Sequence, residues 1–288
     1  MSPLVSIIIP VHNNGATIVD QLDAVAASIP ESTPTEIIVV DNKSTDDGMQ
    51  RVEDWSSRTA YGIRIVPAIE RANEPYARNV GVHAARGDII LFCDGDDVVA
   101  TTWVTGMIEA LSTSDYATGP LDTRMLNPTW LAEVRGAALM QQRPLLSERI
   151  PFAHGCNIGL RRDTIEQLGG FDERFVAGCD IEIGIRAWRA GIDLAFHPGA
   201  VVHYRLRQDV RAMYRQGRSY GRIQPLLRQA SGVAVDSEEW KKRAKRLLWI
   251  IRNLPLIVER ERRTRWLWVV AQVDGEIRGS IRYRRWVY

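Results

Sequence analysis

The sequence predicts an α/β protein in which a mostly parallel sheet is flanked by helices and followed by a basic helical extension. Short apolar runs rich in β-branched residues alternate with segments of helical spacing, which is the pattern of a doubly wound sheet. The runs are continuous, as expected for strands that are buried on both faces. The charge then changes sign: residues 205–288 contain 21 Lys and Arg against 8 Asp and Glu, whereas residues 1–204 contain 16 against 27.

Strands and helices alternate over the first part of the chain. The predicted strands are 4–11, 36–40, 63–66 and 89–93, and the predicted helices are 17–28, 49–57, 74–86 and 103–111. Thr101 and Thr102 precede the last of these helices and are expected to cap it. The loops after Val11, Val40 and Cys93 are polar and follow strands, so we expect them at the carboxyl edge of the sheet, where ligands bind in this architecture.

Later segments are shorter, and residues 116–150 show no regular pattern. The helix predicted over 180–190 carries Ile181, Ile185 and Trp188 on one face. The other predicted elements are strands at 157–161, 192–196 and 200–203, a helix at 162–168, and basic helices at 205–228, 237–252 and 255–270. The sequence therefore predicts a catalytic domain over 1–204 and a helical extension over 205–288.

The composition argues against several classes of protein. Cys93, Cys156 and Cys179 are odd in number, far apart and outside any metal-ligand spacing, which argues against a disulfide framework or a structural zinc site. A reducing compartment fits these cysteines best, and the N-terminus lacks the basic and apolar regions of a signal peptide. No apolar run reaches the roughly 18 residues that a spanning helix needs. We therefore expect a cytoplasmic protein.

An acidic turn, Asp94-Gly95-Asp96-Asp97, follows the fourth predicted strand. Alternate residues of an extended chain point the same way, so Asp94 and Asp96 can converge on one point. Carboxylate oxygens suit Mg²⁺ or Mn²⁺, and such a cation neutralises the charge that develops on a diphosphate leaving group. The alternative is an acidic surface turn without a ligand. The position between an apolar strand and a helix favours the metal.

Five blocks of sequence, in this order and at this spacing, resemble the family 2 glycosyltransferases of the GT-A fold. They are VSIIIPVHN (5–13), EIIVVDNKSTD (36–46), ARNVG (77–81), GDIILFCDGDD (87–97), and LGGFDERF (168–175) followed by GCDIE (178–182). The match covers 4–204 and is loose beyond it. The resemblance implies a GT-A type Rossmann-like fold and an inverting, metal-dependent transfer. The donor is expected to be a nucleotide-sugar, with UDP as the expected nucleotide, and the acceptor a hydroxyl of a cell-envelope molecule, glycolipid or polysaccharide.

The resemblance assigns one group of residues to the nucleotide. The loop of Pro10, Val11, His12 and Asn13 would border the base, and Asp41 would accept a hydrogen bond from it, typically from a uracil N–H. The alternative for Asp41 is that its carboxylate caps the turn that follows the second strand.

A second group is assigned to the diphosphate and the metal. Arg78 would lie near the donor phosphates or the loop that closes on them; the alternative is a surface pair with Asp88. Asp94, with Gly95 beside it, would approach the ribose and the metal, and Asp96 would be the principal metal ligand. His203 would supply a third ligand or a diphosphate contact, although a histidine at a strand end is often structural.

The resemblance also implies a general base at the start of the helix predicted over 180–190. Asp180 would take the proton from the acceptor hydroxyl as that hydroxyl attacks the anomeric carbon. Many relatives have Glu-Asp here, whereas this chain has Cys179-Asp180, so either Asp180 or Glu182 is the candidate base. A structural alternative for Asp180 is a carboxylate that complements the helix dipole.

The sequence of the basic extension does not determine the acceptor or the partners. It lacks the Gln-x-x-Arg-Trp pattern of processive synthases, so one sugar per encounter is expected. Its stretches rich in Trp and Arg, with Trp249, Trp266 and Trp268, fit an interfacial module at the inner face of the plasma membrane. They fit equally a helical subdomain or a homodimer contact. No recognised nucleic-acid module is present.

Three other functions differ from sugar transfer to a hydroxyl in what they require of the sequence. A polyprenyl-phosphate acceptor would also suit the basic extension, and a catalytically silent nucleotide-binding partner subunit would share the fold. A dinucleotide-dependent oxidoreductase would need a glycine-rich loop after the first strand; the chain has His12-Asn13-Asn14-Gly15 there.

Overall fold

The computed structural model describes residues 3–135, 141–233, 237–254 and 258–285. The chain divides into two compact units. The sheet unit comprises Met1–Leu126 and Ala137–Arg205, and the helical unit comprises Asn127–Gly136 and Leu206–Tyr288.

The strands are short except for the first two. In chain order they are β1 (Val5–Val11), β2 (Thr35–Asp41), β3 (Ile63–Pro67), β4 (Ile89–Phe92), β5 (Val98–Val99), β6 (Tyr116–Thr118), β7 (Leu121–Asp122), β8 (Leu145–Leu146), β9 (Ile150–Pro151), β10 (Ile158–Arg161), β11 (Leu194–Phe196) and β12 (Val202–His203).

The helices lengthen toward the C-terminus. In chain order they are α1 (Ile18–Ser28), α2 (Gly48–Ser56), α3 (Glu74–Ala84), α4 (Trp103–Leu111), α5 (Thr129–Val134), α6 (Arg162–Gln167), α7 (Cys179–Arg189), α8 (Val210–Ser231), α9 (Ser237–Asn253) and α10 (Arg260–Arg282).

The main sheet has the strand order β11-β6-β10-β4-β1-β2-β3. Strands β4, β1, β2 and β3 pair in parallel, and β10 runs antiparallel to both β4 and β6. A small sheet, β5-β12-β7, places the chain after the acidic turn beside the strand that ends in His203. This architecture confirms the predicted α/β fold with a mostly parallel sheet.

The core lies on both faces of β1 and β4, where every residue of β4 is buried. Helix α3 packs closely on β1 because Gly81 has no side chain: a Cβ there would lie 2.4 Å from Ile8 Cγ2. Trp103 of α4 is fully buried and donates its indole N–H to Asn157 Oδ1 at 2.8 Å. Asn157 in turn donates to the Ala200 carbonyl at 2.9 Å, so one buried amide ties α4 to the chain before β12.

Several details of the sequence prediction are corrected by the structure. The Thr102 hydroxyl does not cap α4; it donates to the Gly199 carbonyl at 2.7 Å. Ile185 is buried but Trp188 is 44% exposed, so these two do not share one environment. Residues 116–150, which showed no pattern, contain β6 to β9 and α5. The last predicted helix began at 255, and 255–257 lie outside the described residues.

The helical unit is built around the contact between α8 and α10, which the sequence prediction missed. Each helix has two glycines four residues apart, at 217 and 221 and at 275 and 279. Gly221, Gly275 and Gly279 face the backbone of the other helix, and Gly217 faces the side chains of Trp268 and Ala271. A Cβ on Gly221 would lie 2.0 Å from the Gln272 carbonyl oxygen, and one on Gly275 would lie 2.2 Å from that of Arg218. The absence of side chains therefore lets the two backbones touch. Among the described residues, no helix has the length and hydropathy needed to cross a bilayer.

Candidate active site

The loops after β1 and β2 meet at the carboxyl edge of the sheet, as predicted. Asn13 adopts the left-handed conformation (φ 57°), and its Oδ1 accepts the Thr45 N–H at 2.7 Å. The Gly15 N–H donates to Asp46 at 2.7 Å. These bonds fasten the two loops to each other because β1 and β2 are parallel neighbours whose ends lie side by side.

The predicted base-binding residues line this junction. Pro10 and Val11 are the last residues of β1, and the side chain of Val11 is buried, which leaves its backbone as the polar part. His12 Nδ1 lies 2.7 Å from the Asn42 carbonyl oxygen and serves as the donor. Asp41 Oδ1 accepts the Ser44 N–H at 2.9 Å, so the turn-capping role of Asp41 is present, and the carboxylate is only half-buried.

Helix α1 holds the acidic turn from one side. Gln21 is fully buried; its amide donates to the Asp94 carbonyl at 2.9 Å and accepts the Val99 N–H at 3.0 Å. The Thr17 hydroxyl donates to the Gly95 carbonyl at 3.0 Å. These side chains satisfy backbone groups that a turn of this kind would otherwise leave buried and unpaired.

Arg205 holds the acidic turn from the other side. Its backbone N–H donates to Asp97 Oδ1 at 2.7 Å, and its Nε donates to the Asp96 carbonyl at 2.8 Å. Asp97 is 1% exposed, whereas Asp94 and Asp96 are half-buried. The three aspartates therefore differ in exposure: Asp97 is buried, whereas Asp94 and Asp96 are partly accessible to solvent.

Arg78 is fully buried beneath the acidic turn. Its guanidinium pairs with Asp94 at 3.0 Å and with Glu74 one turn earlier on α3, and it donates to Cys179 Sγ at 3.3 Å. The alternative surface pair with Asp88 is wrong, because Asp88 instead accepts the Leu4 N–H at 3.1 Å. Arg78 thus connects the end of β4 to the first residue of α7.

Carboxylates outnumber guanidinium groups around Asp94 and Arg78. Burial raises the pKa of Asp94, Arg78 opposes that rise, and the carboxylates of Glu74, Asp96 and Asp180 add to it, so that the pKa of Asp94 is raised to about 7. These four carboxylates outnumber the guanidinium groups of Arg78 and Arg205, which leaves an excess of negative charge.

In the part of the chain that the structure describes, one set of donor atoms lies close enough together to share an ion: oxygens of Asp94 and Asp97 and the sulfur of Cys156, all within 4.8 Å of one another. Burial, with the nearby carboxylates, raises the pKa of the Cys156 thiol well above its usual range. A protonated, soft thiol is a poor ligand for Mg²⁺ or Mn²⁺, which prefer oxygen. The partly exposed carboxylates of Asp94 and Asp96 suit these cations better than the set that includes Cys156.

His203 lies beside the acidic turn. It pairs across the small sheet with Val98, the residue after Asp97, and its Nδ1 is 3.4 Å from an Asp122 carboxylate oxygen. Among the described residues Nδ1 makes no hydrogen bond, so the Asp122 carboxylate acts on the ring by its charge and not as a hydrogen-bond acceptor.

Asp180 lies in the first turn of α7 and is held in place through both oxygens. One accepts the Gly155 N–H and the other the Ile181 N–H, each at 2.9 Å. Burial raises the pKa of Asp180, against the opposing effects of Arg78 and of these N–H groups. Gly155 also lies against Arg78: a Cβ on it would be 2.8 Å from Nη2 of that guanidinium. Asp94 and Asp180 are therefore linked through Arg78 and its neighbours.

Glu182 lies in a different environment from Asp180. Its side chain is 7% exposed and pairs with Arg186 at 2.7 Å, and Arg186 also donates to the Leu168 and Gly170 carbonyls. Glu182 therefore fixes α7 to the glycine turn after α6.

The α/β sheet, with carboxylates at the end of β4 and another at the start of α7, has the architecture of the GT-A fold. The comparisons with known proteins agree. The family model described as glycosyl transferase family 2 matches residues 6–169, and the model described as glycosyl transferase family group 2 matches residues 89–288. The chain belongs to glycosyl transferase family 2.

Relatives and solved structures support the same assignment. The glycosyltransferase AglE of Haloferax volcanii is 31% identical over 198 residues, which cover 67% of this chain and 64% of AglE. The match thus spans less than two thirds of that relative. The mannosyltransferase PcManGT of Pyrobaculum calidifontis, solved with GDP-Man and Mn²⁺, has a TM-score of 0.66 at 18% identity and covers 96% of this chain and 88% of its own.

Another similar structure contains a different nucleotide. The glucosyl-3-phosphoglycerate synthase of Mycobacterium tuberculosis, solved with Mn²⁺, UDP and its product, has a TM-score of 0.58 at 20% identity and covers 82% of each chain. At these identities the two structures establish the GT-A fold.

Proposed function

We propose that this chain transfers one sugar, with inversion, from a nucleotide-sugar to an acceptor hydroxyl in a reaction that depends on a divalent metal. The observation that carries the proposal is the link from Asp94 through Arg78 to the first turn of α7, where Asp180 lies. This link holds the metal-side carboxylate and a second, separate carboxylate at the same edge of the sheet. An inverting transfer needs both: one site for the departing diphosphate and one base for the acceptor.

Asp96 and Asp94 are the proposed metal ligands, with His203 as a third. The excess of carboxylates around Arg78 fits this role, because a divalent cation would relieve the repulsion that raises the pKa of Asp94. A bound Mg²⁺ or Mn²⁺ supplies charge neutralisation at the diphosphate. Arg78, being fully buried, acts by orienting Asp94 and holds no phosphate itself.

Asp180 is the proposed base. Two backbone N–H groups hold its carboxylate in one orientation, and burial raises its pKa toward the range in which a carboxylate accepts a proton well. Glu182 is less suitable because its ion pair with Arg186 occupies it. These contacts favour Asp180 over Glu182.

The donor is expected to lie along the loops after β1 and β2. Asn13, His12 and Asp41 are proposed to border the base, and the ribose is proposed to lie beside Asp94. Gly95 packs against the protein, because a Cβ there would lie 3.2 Å from Val11 Cγ2 and 3.4 Å from Ile18 Cδ1. The similar structures contain GDP-Man in one case and UDP in the other. We expect a UDP-sugar as the donor, because the family resemblance implies that Asp41 accepts a hydrogen bond from a uracil N–H.

The proposed acceptor is a hydroxyl of a cell-envelope saccharide, glycolipid or polysaccharide, and the proposed place of action is the cytoplasmic face of the plasma membrane. The basic composition of residues 205–288 supports an anionic partner. A polyprenyl phosphate is the alternative acceptor with the same anionic character.

A transfer assay tests the proposal. UDP-, GDP- and dTDP-sugars are offered with and without Mn²⁺, together with saccharide and polyprenyl-phosphate acceptors, and the products are identified by mass spectrometry. Asp96→Ala is expected to abolish the Mn²⁺-dependent part of the rate. Asp180→Asn is expected to bind donor as before but to transfer about 100-fold more slowly or worse. Asp193→Asn, a change at a side chain that is 81% exposed, is the matched control and should leave both rates unchanged.

Two outcomes would contradict the proposal. An Asp180→Asn variant that transfers at the normal rate would show that Asp180 is not the general base. An absence of transfer with every donor, from a protein that still binds nucleotide, would favour a silent nucleotide-binding subunit.

A further inference from the structure

Helix α9 of the helical unit has an apolar strip on its outer face. We define the α9 strip as Trp240, Ala244, Leu247, Leu248, Ile251 and Leu254. These residues recur at the three- and four-residue spacing that places side chains on one side of a helix. Leu248 is 58% exposed, Ile251 69% and Trp240 49%. An exposed row of this length is unusual in a globular protein and marks an interaction surface.

Cations lie along one edge of the strip. The sequence 240–254 contains six Lys and Arg residues and no Asp or Glu: Lys241, Lys242, Arg243, Lys245, Arg246 and Arg252. Lys241, Lys245 and Arg252 are exposed and follow one another along the edge of the strip at helical spacing, whereas Arg243 is buried. The helix therefore presents one apolar face with a positive border.

Trp249, Trp266 and Trp268 do not belong to the α9 strip. Trp266 donates its indole N–H to the Ile250 carbonyl at 2.9 Å, the Arg135 guanidinium lies 3.4 Å from the Trp268 ring centre, and Trp249 is half-buried. These contacts are internal to the helical unit and support the helical-subdomain interpretation for those three indoles. Trp240, in the first turn of α9, is exposed instead.

We propose that the α9 strip docks on an anionic lipid bilayer, with α9 lying in the plane of the interface. The helix is about 25 Å long, its apolar face would enter the boundary between headgroups and acyl chains, and its positive border would meet anionic headgroups. Trp240 would lie at headgroup depth, where indoles are favoured. Charge complementarity selects this partner, because a second copy of the same face would bring like charges together across the contact.

This proposal rests on the anionic partner proposed above and not on the sugar transfer, so binding and transfer are measured separately. The full chain is sedimented with vesicles of phosphatidylglycerol mixed with phosphatidylcholine and with vesicles of phosphatidylcholine alone. We expect binding to the anionic vesicles only, weakening as salt is added. Replacing Lys245 or Arg252 by Gln should lower the partition coefficient about fivefold each.

The decisive variant is Leu248→Glu with Ile251→Glu. Because both side chains are exposed, the protein should keep its Tm and its transfer to a water-soluble acceptor, while vesicle binding falls about 100-fold or more. The matched control is Ile277→Glu with Ile281→Glu, two isoleucines on α10 that are 42% and 61% exposed. This control should bind vesicles as the unchanged chain does.

Three results would overturn the assignment. The unchanged chain could fail to bind anionic vesicles. The control pair on α10 could lose binding as fully as the pair on α9. Light scattering could show a dimer that Leu248→Glu with Ile251→Glu dissociates, which would make the α9 strip a contact between copies. If the unchanged chain bound vesicles but transferred no sugar, that result would contradict the proposed reaction alone, since vesicle binding does not depend on sugar transfer.

Discussion

The affinity for Mn²⁺ should depend on pH through Asp94. The pKa of this carboxyl is raised to about 7 because burial and three neighbouring carboxylates outweigh the Arg78 guanidinium. A metal binds the ionised form, so protons compete with it below that pKa. Asp94 is about one-tenth ionised at pH 6 and about nine-tenths ionised at pH 8. The apparent association constant for Mn²⁺ should therefore rise about tenfold between these two values.

The assay is a titration of free Mn²⁺ followed by electron paramagnetic resonance. Nucleotide is left out, because a terminal phosphate also titrates near pH 6. Asp94→Asn should bind Mn²⁺ weakly and with a smaller change between pH 6 and pH 8 than the unchanged chain, whereas Asp193→Asn should behave as the unchanged chain does. Equal affinity at the two pH values in the unchanged chain would refute the role of Asp94 as a metal ligand in this charge cluster.

Three further predictions concern buried contacts. Gly155→Ala should displace the Arg78 guanidinium, because the new Cβ would lie 2.8 Å from Nη2; transfer should fall and the free energy of unfolding should drop by about 1–3 kcal/mol, measured by urea denaturation. Asn157→Ala should cost about 2–4 kcal/mol, since it leaves a buried indole N–H and a carbonyl unpaired; a Tm unchanged from the parent would contradict this. Gly221→Ala should cost about 2–4 kcal/mol by separating α8 from α10, while Gly62→Ala, where a Cβ meets nothing within 4 Å, should stay within about 0.5 kcal/mol.

The order of strands and helices up to α4 was predictable because local pattern and tertiary position agree there. Strands β1, β2 and β4 are apolar on both faces since both faces are covered by helices. Parallel pairing then brings the ends of these strands together, so the meeting of the polar loops followed from the fold class alone. The acidic turn follows β4 directly, and this position is enough to place it at the same edge of the sheet.

The contacts that hold the site were beyond the sequence pattern because they join residues far apart in the chain. In the sequence Gln21 is one polar residue of an amphipathic helix. In the structure it is fully buried and supports the acidic turn 73 residues away. Arg205 supports the same turn from 109 residues away. Arg78 was assigned to the phosphates or a surface pair, but its burial beside Asp94 depends on how α3 packs on the sheet.

The glycine contact between α8 and α10 was missed for a related reason. Glycines within a helix disfavour it in isolation, and only the approach of the other backbone explains why Gly221 and Gly275 are there. The signal that could have found them is the four-residue spacing of glycines in two helices that otherwise read as basic.

The most direct test of the account is anomalous diffraction at the manganese edge from crystals grown with Mn²⁺ and UDP or GDP. The account predicts one strong peak within ligand distance of Asp96 and Asp94, bridging to the diphosphate, with the Asp180 carboxylate facing the same cavity. A peak between Asp97 and Cys156, or a diphosphate bound away from the end of β4, would contradict it.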